Sequence, residues 1–346
     1  MGAIMKKRSY LFFGILLAFL FFPLSAHAET GNVQFSIQGV IPENQIDKTQ
    51  TYFDLKLQPG EKQEIKVAIH NDATEATDFI VNVNQAYTNS KGLIDYNSQD
   101  VTPDKSMQYQ IKDIVTKPEK VSVPANSSKE FAIQITMPKE KFDGRIMAGI
   151  QVLKVVTVDG KEQPSQFGYV LGLQLRNILS EVKREVKIAD PKAAISFGKT
   201  AFSVNIQNPT MDAIGKMTYT GKITAAGKTE TLQKIEWENR SMAPNSNFDL
   251  AFDMNDQEIK PGKYELHLKI SDGKGNVWQF KEPFTVSSER AKEVNSAIIP
   301  MGGKSQTPSW LYWLIGALGA LLALLMVRLI KSQRSQNKEI TKELNV

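Results

Sequence analysis

Between Glu29 and Ser288 apolar residues recur at every second position, and no stretch keeps a 3.6-residue period over three turns. Period two sends alternate side chains to opposite faces of a strand, so the pattern restricts this segment to sheets with one buried face. A first set of strands is predicted at Phe53 to Leu57, Ile65 to Ile69, Phe79 to Val83, Phe131 to Ile135 and Ile150 to Val156. Turn signals separate them: Pro59-Gly60, Asn71-Asp72, Asn89 to Gly92, Pro124 to Ser128 and Asp159-Gly160. The polar run Asp159 to Pro164 reads as a break, after which alternation restarts at Phe167 to Leu175. It continues through Val182 to Ile188, Ala201 to Ile206, Met217 to Ile223, Phe248 to Phe252, Tyr264 to Ile270 and Val277 to Phe280. The expected fold is all-β, with two tandem immunoglobulin-like β-sandwiches over residues 31–158 and 164–288. Both halves use one corner device, a Pro-Gly or Pro-Asn turn before an alternating strand, at Pro59-Gly60, Pro124-Ala125-Asn126, Pro244-Asn245 and Pro261-Gly262. Proline fixes φ, and Gly or Asn tolerates the positive φ that follows.

Two apolar segments bracket this β region. Lys6, Lys7 and Arg8 precede an apolar run from Tyr10 to Phe22, then Pro23 and Ser25-Ala26-His27-Ala28. That order predicts a secretory signal over residues 1–28, cleaved between Ala28 and Glu29. The second run, residues 310–330, has Trp310, Tyr312 and Trp313 at one end and Arg328, Lys331, Arg334, Lys338 and Lys342 at the other. Twenty-odd helical residues match a bilayer core of roughly 30 Å. The aromatic end reads as the outer interface, and the basic end, residues 331–346, as cytoplasmic. No LPxTG-like pentapeptide precedes the run, which favours a retained single-pass anchor over a sorting signal. Residues 289–309, polar and irregular with Gly302-Gly303 and Pro308, form a short tether.

These brackets also account for the charge. The chain carries net +5; the leader holds three positive charges and no acid, and the segment from Arg328 onward contributes a net three more. The exported part is therefore near −1, which argues against nucleic acid as a partner. Cysteine is absent, so no disulfide framework or thiolate chemistry is available.

Catalytic signals are thin. His27 falls in the leader, and His70 and His267 are isolated in alternating strands, so neither a Ser-His-Asp site nor a metal spacing is evident. Asp95, Asp100, Asp104, Asp143 and Glu162 offer carboxylates for glycan hydrolysis, but nothing in the sequence pairs them. No calcium loop or phosphate loop occurs, so no cofactor is expected. The candidate ligand-binding residues are Tyr87, Tyr96 and Tyr109, in a stretch between Val83 and Val121 longer than a hairpin needs. Aromatic faces take sugars and peptides; the alternative is that these rings pack the excursion onto its sandwich.

Several blocks carry a resemblance. The first half contains Phe35-Ser36-Ile37, Val40-Ile41-Pro42-Glu43-Asn44-Gln45, Tyr52-Phe53-Asp54-Leu55 and Pro59-Gly60-Glu61-Lys62-Gln63, and later Pro138, Phe142-Asp143-Gly144-Arg145 and Gly149-Ile150. The second contains Gly168-Tyr169-Val170-Leu171-Gly172-Leu173-Gln174-Leu175-Arg176-Asn177, Met242-Ala243-Pro244-Asn245-Ser246 and Pro261-Gly262-Lys263-Tyr264. Together with the order of leader, two β domains, helix and basic tail, this resembles the WxL-interacting proteins of low-GC Gram-positive bacteria. The resemblance implies a non-catalytic, membrane-anchored cell-surface scaffold. Its first domain would bind peptidoglycan, and its partners would be WxL-type surface proteins. The alternative it implies is an adhesin whose second domain binds host extracellular matrix directly; a cell-wall glycan hydrolase is the third reading. A tether of some twenty residues reaches at most roughly 70 Å, which favours the wall-side roles.

Overall fold

The computed structural model describes residues 34–255, 257–296 and 309–343. The expected leader, with its Ala28–Glu29 cleavage point, lies outside the described residues.

The first sandwich packs two sheets. One has the order β1 (Phe35–Val40), β3 (Lys62–Asn71), β9 (Ser127–Thr136), β7 (Val115–Thr116). The other has the order β2 (Phe53–Lys56), β11 (Lys161–Arg176), β10 (Ile146–Val158), β4 (Thr77–Gln85), β8 (Lys120–Val123). Inward-facing positions of both sheets form one core: Ile65, Val67, Ile69, Ile133 and Ile135 meet Phe53, Leu55, Phe79, Val81, Ile150, Leu173 and Leu175. Burying each such side chain contributes about 1.5–3 kcal/mol.

The second sandwich sets β12 (Lys187–Ser196), β13 (Lys199–Asn208) and β16 (Ser246–Asp253), in that order, against β15 (Thr231–Met242), β14 (Ile214–Ala225), β17 (Gly262–Ser271) and β18 (Val277–Val286). Phe202 of one sheet meets Tyr264 and Phe284 of the other, with ring centroids 4.9 and 5.6 Å apart. The pairings repeat those of the first half. β3–β9, β4–β8, β4–β10 and β10–β11 correspond to β13–β16, β14–β15, β14–β17 and β17–β18. Three strands facing four in this order is an immunoglobulin-like arrangement.

At residues 158–164, where a break is expected, the chain makes a hairpin. Strand β11 is the last strand of the first sandwich, paired with β10 from Ile146↔Leu175 to Val158↔Lys161 and with β2 through Leu173–Arg176. Asp159 and Gly160 both have positive φ (51° and 73°), the geometry of a tight hairpin turn. By contact density the chain divides into two compact units. Among the described residues the first comprises 34–187, 207–215 and 240–248; the second comprises 188–206, 216–239, 249–296 without 256, and 309–343.

Each Pro-Asn corner is clasped by a buried asparagine at the end of a strand. Asn71 Nδ2 donates to the carbonyls of Glu75, Val123 and Pro124 (2.9, 3.2 and 3.1 Å), and its Oδ1 accepts from Ala73 N. Asn208 Nδ2 donates to the carbonyls of Asp212 and Ala243 (2.8 and 2.9 Å), and its Oδ1 accepts from Thr210 N. The corner asparagines Asn126 and Asn245 hold φ of 48° and 47°. Ser127 and Ser246 close each corner by donating to the Pro124 and Ala243 carbonyls.

The tether expected over 289–309 begins as a helix, α1 (Ser288–Ser296). Ser287 caps it, its Oγ accepting from Arg290 N, while Ala291 and Val294 are buried and Asn295 exchanges hydrogen bonds with Ile259. Residues 297–308 lie outside the described set. A second helix, α2 (Ser309–Glu343), holds the apolar run, and its described side chains from Tyr312 to Arg328 are exposed. Among the described residues no helix is long and apolar enough to cross a membrane. The side chains of Leu311, Leu329 and Ile330 are not among them.

Candidate functional site

The outer face of β4 carries two buried amides, Asn82 and Asn84, where alternation would place solvated charge. Gln151 lies opposite on β10, paired with Asn82 in register, and its Oε1 accepts from Asn82 Nδ2 (3.3 Å) and Asn84 Nδ2 (3.2 Å). The excursion after β4 covers this face. Asn84 Nδ2 also donates to the Tyr96 carbonyl at 2.8 Å. Gln85 bridges the other side, donating to the Met147 carbonyl and accepting from Ile111 N.

The excursion is built from side-chain caps. Its tip is a two-strand ribbon, β5 (Tyr87–Thr88) and β6 (Ile94–Asp95), tightened by Asn89 Oδ1, which accepts from Lys91 N and Leu93 N. Further along, Asp104 accepts from Ser106 N and Oγ, from Gln207 Nε2 (2.8 Å) and from Asn247 Nδ2 (2.6 Å), all within the first compact unit. Burial pushes the Asp104 carboxyl up, but these hydrogen bonds to its charged form outweigh it and hold it below the ordinary 3.8.

Sheet and excursion enclose a cleft of about 410 Å³. Asn82, Asn84 and Gln85 line it from the sheet; Gln99, Asp100, Val101, Met107 and Gln110 line it from the excursion, with Lys112 and Lys117 beside them. Amide side chains present donors and acceptors together. Asp100 is the single carboxylate of this lining.

The three tyrosines expected to bind ligand do not meet, and none lines the cleft. Tyr87 is half-buried opposite Asp95, and burial followed by that carboxylate pushes its hydroxyl up. Tyr96 packs on Gly149, where an added Cβ would lie 2.6 Å from the tyrosine Cβ; burial is the main cause of its raised pKa. Tyr109 stacks at 5.4 Å on Phe142 at the margin of the core. The amides were missed because each is an ordinary polar residue; the signal was Asn82-Val83-Asn84-Gln85 immediately before an over-long connection.

His70 is less isolated than its sequence suggests. Its Nδ1 lies 2.6 Å from Ser128 Oγ and its Nε2 2.9 Å from Asp72 Oδ1. The connectivity is that of a hydrolase triad, but His70 and Asp72 are 49% and 54% exposed on a sheet face, and neither belongs to the lining of the cleft. Electrostatic stabilisation of an oxyanion needs a water-excluded site, which this face does not supply. His267 pairs with Glu265 at 2.7 Å. No group of three or more His, Cys, Asp or Glu side chains suited to a metal ion occurs among the described residues.

The family-specific blocks prove to be structural. Gln45 accepts from Asp54 N and donates to the Tyr52 carbonyl, and Asn44 and Gln63 exchange amide hydrogen bonds. Asp54 receives a bidentate pair from Arg176 at 2.8 and 2.7 Å. Gly144 has φ 93°, and an added Cβ would lie 2.1 Å from the Met211 carbonyl oxygen. Arg145 beside it pairs with Asp212 at 2.7 Å.

In the second unit the sheet β15-β14-β17-β18 is concave and encloses about 670 Å³. Cross-strand rows Thr220–Lys269–Gln279 and Lys222–His267–Lys281 line it, with Lys234 and Glu236 from β15.

No curated relative matches the chain. Similar solved structures include the YadV chaperone, at 13% identity over 72% of this chain and 100% of that one, with a TM-score of 0.31. The CsuC–CsuE chaperone–tip adhesion subunit complex of Acinetobacter baumannii gives 11% identity, 73% and 98% coverage and a TM-score of 0.31. The Pseudomonas aeruginosa CupB2 chaperone gives 15%, 66% and 96%, and 0.26. At these TM-scores the likenesses carry no argument. The family comparison is decisive: residues 35–154 match "WxL Interacting Protein, peptidoglycan binding domain", and residues 161–296 match "WxL Interacting Protein, host binding domain". These matches span most of the chain that the two sandwiches occupy, and the chain belongs to the WxL-interacting protein family.

Proposed function

We propose that this chain is a non-catalytic, membrane-anchored scaffold of the cell surface that binds peptidoglycan in the amide-lined cleft and holds a WxL-type surface protein. The observation that carries the reading is the position of the cleft: all of its lining residues fall inside the segment matching the peptidoglycan-binding domain. The lining chemistry supports a glycan with N-acetyl and peptide groups, and the single carboxylate supports binding without hydrolysis. Membrane attachment is supported by the two apolar brackets of the sequence and by the exposed face of α2, where Trp313 is 80% and Leu324 65% accessible. Apolar surface of that extent needs a lipid or protein covering.

The test is co-sedimentation of the detergent-solubilised full chain with purified insoluble wall at physiological salt. The triple substitution Gln99→Ala, Asp100→Ala, Lys112→Ala, at positions exposed to solvent, is expected to lower wall binding at least tenfold without shifting the unfolding midpoint. Equal sedimentation of parent and variant would sink the assignment of the cleft. A second reading, direct attachment of the second domain to host matrix, is favoured by the concave lysine-bearing sheet within the segment matching the host-binding domain. It predicts that Lys222→Glu with Lys269→Glu abolishes retention on immobilised matrix proteins while leaving wall binding intact.

A further inference from the structure

Strand β11 leaves most of one edge open. Its inner flank is paired with β10 on either side of a bulge at residues 165–167, but on the outer flank β2 covers only Leu173–Arg176. From Lys161 to Gly172 that outer edge has no strand partner among the described residues, and its regular part, Gly168–Gly172, runs for roughly 17 Å at strand spacing. A free edge presents N–H and C=O groups ready to pair with another chain, and proteins ordinarily blunt it with lysines, bulges or a covering loop. Lys161, Glu162, Pro164 and the bulge at residues 165–167 blunt the first part of this edge in that way, whereas residues 168–172 carry no charge, proline or bulge. The exposed side chains are apolar instead: Phe167 is 71%, Tyr169 41% and Val170 39% accessible. Successive residues point to opposite faces, so apolar surface is offered on both sides of the same open backbone.

This combination selects the occupant. A glycan has no regular row of donors and acceptors at strand spacing, and a helix has none to spare, because its own backbone groups are already paired. An extended peptide satisfies the edge and buries the flanking rings together, as in strand addition. The register is already started, since β2 lies parallel on this edge at Leu173–Arg176 and an incoming strand extends the sheet before the start of β2, beyond Tyr52 at Gly172. The neutral stretch matches a neutral, alternating apolar segment. We propose that the open edge of β11 within residues 161–172, along its regular part Gly168–Gly172, is the docking site for the partner protein, which contributes an extended apolar segment as an additional strand of the first sandwich. The inference rests on the reading of this chain as a receptor for a WxL-type surface protein.

The test follows backbone hydrogen exchange of the full chain in detergent, with and without a purified WxL-domain surface protein from the same bacterium as the probe. Amides of residues 161–172 are expected to slow at least tenfold in the complex. The pair Phe167→Glu, Val170→Glu is expected to weaken that complex at least tenfold with an unchanged unfolding midpoint. Phe197→Glu, a 73% exposed ring in the second unit, should leave the affinity within twofold. A complex that forms without slowing residues 161–172 overturns the docking site and leaves the partner reading standing. Failure to form any complex overturns both. Slowing of residues 161–172 in the absence of partner, with dimers in sedimentation, overturns the proposal in favour of a second copy of this chain.

Discussion

Substituting Gly149 by Ala tests how the excursion is held over the sheet. Gly149 sits on β10 opposite Asn84, and a Cβ there would meet Tyr96 Cβ at 2.6 Å and Val170 Cγ1 at 2.7 Å. Carbon atoms prefer about 3.5–4.0 Å, so both neighbours must retreat by roughly 1 Å. Val170 belongs to a strand paired along β10, whereas Tyr96 lies just beyond a two-residue strand, so the excursion gives way more easily. Overpacking of this kind costs about 1–3 kcal/mol. A retreat of that size also stretches the 2.8 Å bond from Asn84 Nδ2 to the Tyr96 carbonyl beyond hydrogen-bonding distance, a loss of about 1 kcal/mol net. The sum is about 2–4 kcal/mol, read as a lowered urea midpoint with unchanged slope. Exchange of the excursion amides, residues 86–117, should accelerate more than that of β3 and β9. In a double-mutant cycle Tyr96→Gly should recover part of the loss, because one of the two clash partners is gone and Val170 remains. A Gly149→Ala chain within 0.5 kcal/mol of the parent (on the order of ordinary surface substitutions), or a cycle with no coupling, would refute the packing described for Tyr96.

Asn71→Ala removes two N–H donors shared among three carbonyls and one accepted bond from a fully buried amide and should destabilise the first sandwich by about 3 kcal/mol, and Asn208→Ala should act similarly on its own corner; urea denaturation of each variant checks both. Asp104 is held below its ordinary value in the folded chain, so its contribution is fully present above the unfolded carboxyl's 3.8 and is lost as pH falls through the lower folded value. The urea midpoint of the parent should therefore drop in that acidic range more steeply than that of Asp104→Asn, and parallel curves would remove Asp104 as the cause.

The periodicity exposed both sandwiches because their cores are ordinary alternating strands such as Ile65-Lys66-Val67-Ala68-Ile69. The boundary between them was less legible. Asp159-Gly160 has the composition of a linker and of a hairpin turn alike, and only the pairing of Val158 with Lys161 decides between them. Helix α1 escaped notice because it spans nine residues and buries only Ala291 and Val294, too few for a period to emerge. The clasping asparagines and the cleft amides were invisible for a different reason. Asn82 and Gln151 are 69 residues apart, and a buried amide looks like an exposed one until the sheet brings its partners together. The same holds for His70 and Ser128, separated by 58 residues and joined by the β3–β9 register. The tyrosines were conspicuous as residue types, yet their rings fasten the excursion that forms one wall of the cleft.

The most direct test of the wall-binding account is photo-crosslinking from the cleft itself. A photoreactive phenylalanine analogue replaces Gln99, an exposed cleft residue, or Gln279, on the concave sheet of the second unit, and the full chain is irradiated on purified peptidoglycan sacculi. The account predicts muropeptide adducts from position 99 after muramidase digestion and none from position 279. Adducts from position 279 alone, or from neither while the chain remains bound to the sacculi, would contradict it.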